Sequence, residues 1–159
     1  MKSKTSPALV TVKACCRVLD DKKAGELTVL DVSVQSSITD YLIIATATSE
    51  PHLRALRNDL EKALDGENVR LVGVERAQDS GWVVIDAFDV MIHLFLGPVR
   101  ERFGLERLWR DATELSVSKI LAVPKVKVPA RRVKKAAAPK PKASKAKAPA
   151  KVAAKRKRA

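Results

Sequence analysis

Charge in this chain is segregated, and that decides where it can fold. Residues 116–159 carry 16 of the 31 Lys and Arg side chains and none of the 18 Asp and Glu, leaving 15 basic against 18 acidic groups in residues 1–115. The stretch VPKVKVPARRVKKAAAPKPKASKAKAPAKVAAKRKRA is made almost wholly of Lys, Ala, Pro, Arg and Val. It has too little apolar surface to offset the entropy of ordering, and Pro139, Pro141 and Pro149 break any helix that Ala and Lys favour. The expectation is an α/β domain at 1–115 and a disordered Lys/Ala/Pro-rich basic tail at 116–159.

No apolar stretch reaches the roughly 18 residues that cross a bilayer, and MKSKTSPALV lacks the apolar core of a secretory signal. The chain therefore reads as cytoplasmic, without a membrane. Cys15 and Cys16 are adjacent, so they frame no disulfide scaffold, and with His52 and His93 they offer no metal-ligand spacing.

Within 1–115, Ser6 and Pro7 open a helix with Leu9, Val12, Cys16 and Leu19 on one face. The segment at 26–32 reads as a strand. The unbroken apolar run Tyr41–Ala47 suits a strand covered on both faces. Ser49 and Pro51 begin a second helix along which Leu53, Leu56, Leu60 and Leu64 recur, closed by Asp65 and Gly66. Strands follow at 69–74, Trp82–Asp86 and Val90–Leu96, the last two close enough to force an antiparallel hairpin. Pro98 starts a final helical segment interrupted at Gly104. These elements predict a mixed five-stranded sheet flanked by helices.

Motifs for chemistry are absent: no Gly-x-x-x-x-Gly-Lys loop and no Gly-x-Gly-x-x-Gly follows a strand. His93 shares a strand face with Met91 and Phe95 and reads as structural. Asp86 and Asp89 flank the hairpin and Asp40 heads the central strand. Such carboxylates either hold a divalent cation or, as is commoner, bond turn amides. Trp82 suits a core position and an interface anchor equally; Trp109 suits the core.

The succession LDVSVQSSITDYLIIATATSEPHLRAL, VGVE, WVVIDAFDVMIHLF and RERFGLERLWRDA resembles the ribosomal silencing factor family, related to plant Iojap, over residues 8–112. The resemblance implies a fold similar to nucleotidyltransferases without their chemistry: no enzyme, no cofactor, no metal. It implies binding to the large ribosomal subunit through its protein number fourteen, steric block of small-subunit joining, and translational repression under nutrient limitation. Carried over residue by residue, the partner-binding positions are Trp82 and, beside it, Asp86, Phe88 and Asp89. The family usually has Gly where this chain has Ala47, Arg76 and Phe88. The basic tail lies outside the pattern, and the expectation is that it engages ribosomal RNA; a homodimer stays open. Two other readings compete. One is a histone-like nucleic-acid-binding protein acting through its tail, whose Lys-Ala-Pro composition is similar to linker histones. The other is a metal-dependent nucleotidyltransferase using Asp86 and Asp89.

Overall fold

An apolar run with no solvent-facing side needs cover above and below, and residues 41–47 receive it at the middle of a sheet. The computed structural model describes residues 6–76 and 80–122. In chain order the elements are α1 (Pro7–Asp21), β1 (Gly25–Asp31), β2 (Tyr41–Ala47), α2 (Glu50–Gly66), β3 (Gly73–Arg76), β4 (Trp82–Asp86), β5 (Val90–Leu96), α3 (Gly97–Phe103), α4 (Leu105–Leu108), β6 (Thr113–Leu115) and α5 (Val117–Ala122). No helix among the described residues is long and apolar enough to cross a membrane.

The sheet has six strands in the order β3-β4-β5-β2-β1-β6. Only β2 and β5 pair in parallel; the other four pairings are antiparallel. The parallel pair arises because α2 carries the chain from β2 to the far edge, and the β3-β4-β5 meander brings it back beside β2. The hairpin expected between β4 and β5 is present, with Trp82 opposite Phe95 and Asp86 opposite Met91.

Several boundaries differ from the sequence expectation, β1 by one residue at each end and others by more. The sheet has six strands, not five, because Thr113–Leu115 pairs with Asp31–Val29 of β1. A three-residue edge strand with partly or fully exposed side chains carries no apolar alternation to read. The third strand begins at Gly73 rather than residue 69, although the Val72 N–H already donates to the Asp86 carbonyl at 2.8 Å. Residues 117–122, grouped with the tail by charge, form α5, and Val117, Ile120 and Leu121 pack against the core. The expected disorder of the tail concerns residues 123–159, outside the described residues.

Two layers cover the sheet. On one face α1 and α2 bury Val12, Cys15, Cys16, Leu19, Leu53, Leu56, Leu60 and Leu64 against Ile43, Ala45, Ile85, Ile92 and Leu94. Each fully buried leucine contributes about 2 kcal/mol of transfer free energy. Ser49 caps α2 by accepting the His52 N–H at 3.3 Å, whereas Ser6 occupies the same position on α1 without a side-chain bond. Burial pushes both thiols up, Cys16 to about 12, so both are core side chains rather than nucleophiles. On the other face Leu30, Val32, Leu42, Ile44 and Phe95 lie under Val99, Leu105 and Trp109 from the short α3–α4 segment and the turn after it. That cover is narrower, and the site lies where it stops.

Candidate docking face around Trp82

Strand alternation sends Trp82, Val84 and Asp86 to one side of β4 and Met91, His93 and Phe95 to the same side of β5, the side that α3 and α4 cover only in part. Trp82 is half-buried there. Its ring stacks on Phe95 with centroids 5.1 Å apart and meets Phe103 of α3 at 4.7 Å. Its indole N–H donates to Nδ1 of His93 at 3.3 Å, which leaves the ring proton of His93 on Nε2. Trp82 thus packs against three rings and still remains only half-buried.

His93 itself is 6% exposed, and burial pushes its pKa down to about 4, so it is a neutral acceptor, in keeping with the structural role expected of it. Gly81, just before Trp82, adopts φ +66°, and a Cβ there would come within 2.9 Å of Val99. The chain enters β4 tight against α3 because this residue has no side chain.

The other expected positions gather at the far end of the hairpin, four strand residues or about 13 Å from Trp82. Phe88 occupies the tip, 70% exposed, at φ +67°, with its N–H donated to Oδ1 of Asp86 at 3.0 Å. This left-handed conformation is costly for a residue with a Cβ, which gives a physical reason for the glycine usual there. Ala47, in contrast, sits buried in regular strand, where nothing requires glycine. Arg76 is the last residue of β3.

The Asp89 carbonyl accepts the N–H groups of Asp40 and Tyr41, both at 3.0 Å. Asp31 accepts from the Ser33 hydroxyl at 2.6 Å. The carboxylates of Asp86 and Asp31 bond turn groups, while Asp40 and Asp89 take part through the main chain, and among the described residues no group of three or more His, Cys, Asp or Glu could hold a metal ion. They still concentrate negative charge. Burial, then the charges of Asp31 and Asp40, push the Tyr41 phenol up; Asp86 ends β4, and Asp89 immediately precedes β5.

Between the two ends lies a cleft of about 200 Å³, lined chiefly by Ile38, Leu42, Met91, His93, Leu105 and Trp109. Ile38 is 78% exposed and Leu108, beside Trp109, 74%. Sequence reasoning missed this part. The β1–β2 loop reads as a polar turn, and its one signal is an isoleucine amid Ser36, Ser37 and Thr39. Trp109, expected in the core, lines the cleft wall and is only partly buried.

Comparisons with known proteins agree with this architecture. The family model described as ribosomal silencing factor during starvation matches residues 3–156, so it runs on into the tail that the sequence resemblance left outside the pattern. A curated ribosomal silencing factor from Halalkalibacterium halodurans is 30% identical over 104 residues, 65% of this chain and 89% of that protein. A mouse protein named for mitochondrial assembly of the ribosomal large subunit is 32% identical over 95 residues, 58% of this chain and 42% of its own length. A crystal structure from Chromobacterium violaceum superposes with a TM-score of 0.61 at 32% identity, covering 74% of this chain and 93% of that one. With a family model matching nearly its whole length and a sheet shared with a solved relative, the chain belongs to the ribosomal silencing factor family.

Proposed function

We propose that this chain docks on the large ribosomal subunit through the partly covered sheet face and thereby keeps the small subunit from joining. The observation that carries the reading is the half-buried Trp82, clustered with Phe95 and Phe103 and bonded to His93, which itself lines the neighbouring cleft. A rigid, pre-stacked tryptophan next to a pocket is the kind of anchor that dominates interface energy. The name of the mouse relative points to the large subunit, and the family description points to starvation as the occasion.

The partner on that subunit is its protein number fourteen. Asp86 and Asp89, with the exposed ring of Phe88 between them, form an acidic rim suited to a basic protein. The action is occlusion in the cytoplasm, with no turnover, so the fold needs no nucleotide or metal. The cations of residues 116–159 lie along adjacent ribosomal RNA, adding sequence-independent affinity and a faster encounter. The test is binding of Trp82→Ala to purified large subunits. A variant that remains folded by circular dichroism and binds as tightly as the parent refutes the reading.

A further inference from the structure

Among the described residues Arg100 is the only Lys or Arg that is buried, at 8% exposure. A buried ion pair is weak evidence for stability, because apolar residues of similar volume often do as well or better. Its geometry says more. Nε donates to Oε1 of Glu106 in α4 at 2.8 Å, and Nη2 lies in an ion pair 2.6 Å from the same oxygen. Nη1 donates to the Glu26 carbonyl at 2.6 Å and the Thr46 hydroxyl at 2.8 Å, and Nη2 reaches the Thr28 hydroxyl at 3.2 Å. One planar fork therefore ties α3 to α4, β1 and β2. The Glu26 carbonyl is presented by a break in strand register between Gly25 and Thr28, where Glu26 takes φ +44°.

The helices so tied have little stability of their own. α3 has seven residues and α4 four, with Gly104 at φ +52° between them, and helices this short take their orientation from tertiary contacts. They also supply the walls of the docking face. Phe103, three residues beyond Arg100, lies on Trp82, while Leu105, next to Glu106, and Trp109, three residues beyond it, line the cleft.

We propose that Arg100 is a positioning residue for partner docking: with Glu106 it fixes the α3–α4 cap on β1 and β2 and so holds Phe103 against Trp82. The inference rests on the docking reading above, and its test separates the two. In the full chain, Arg100→Met and Glu106→Gln are compared with the parent by circular dichroism, by Trp82 emission in a Trp109→Phe background, and, with Trp109 retained, by affinity for purified large subunits.

Folded variants are expected to show red-shifted Trp82 emission and affinity weaker by about tenfold or more for Arg100→Met, with a smaller loss for Glu106→Gln. An arginine that only stabilises the fold lowers the melting temperature yet leaves emission and affinity of the folded protein unchanged, and that result overturns the proposal. Should Arg100→Met not fold, Glu106→Gln decides by the same two readouts. Shifted emission with parental affinity, in a set where Trp82→Ala also binds as the parent, upholds the positioning and overturns the docking reading instead.

Discussion

Lowering the pH from about 7.5 to about 5 is expected to destabilise the protein by about 2 kcal/mol through His93 alone. The ring is buried among Trp82, Phe95, Leu42 and Met91, no charged group lines the cleft it borders, and burial pushes its pKa from 6.5 down to about 4. Between those values the unfolded chain binds a proton that the folded chain refuses. Stability is therefore unaffected above 6.5 and falls as the pH drops through the window. Protonation also sets an N–H at Nδ1 against the Trp82 indole N–H that now donates to it.

The assay is urea unfolding of the parent and of His93→Gln at both pH values. Gln can accept the indole N–H and does not titrate, whereas the carboxylates and His52 are common to both proteins and cancel in the difference. The parent should lose about 2 kcal/mol more than the variant on acidification. Equal losses refute the assignment of a neutral, desolvated histidine behind Trp82.

Other expectations follow from the packing. Ending the chain after residue 115 rather than 122 should cost about 2–3 kcal/mol of stability, from the partly buried Val117, Ile120 and Leu121. Equal unfolding midpoints for the two truncations contradict a packed α5. Phe88→Gly should raise stability by roughly 0.5–1 kcal/mol, the left-handed strain of about 1–2 kcal/mol outweighing the added flexibility of glycine; thermal melts check this, and a lower melting temperature counts against strain at the tip. Removing residues 123–159 should flatten the salt dependence of subunit binding. A tail making about 6–10 phosphate contacts loses on the order of a thousandfold in affinity between about 50 and 200 mM salt, so unchanged slopes deny the tail a role on RNA.

The elements legible from sequence were those whose pattern matches their burial. Tyr41–Ala47 has no polar side, and no other place in an α/β domain suits it but the sheet centre. The leucine row behind the Ser49 cap left equally little freedom to α2. Legibility failed at the edges, where packing is partial. Thr113–Leu115 is a strand only because β1 offers an unpaired edge, and α5 is set by three apolar contacts that a count of lysines conceals.

The site was half legible for the same reason. Trp82 announces itself as a large aromatic at a strand start. The cleft beside it is assembled from Ile38, Met91, Leu105 and Trp109, which meet only once the sheet forms and α4 settles on it. Arg100 gives no signal at all. A basic residue in a charged helical segment reads as surface, and only the Glu26 carbonyl and the Thr28 and Thr46 hydroxyls, some 54 to 74 residues away, make its burial tolerable.

The most direct measurement mixes purified small and large ribosomal subunits with increasing amounts of the full chain at moderate salt and follows the joined particle by sedimentation. Docking through the Trp82 face predicts that the chain sediments with the large subunit alone, that the joined fraction falls as the chain is added, and that folded Trp82→Ala does neither. Joined particles forming undiminished, or the parent and Trp82→Ala sedimenting alike with either subunit and with plain RNA, would contradict it.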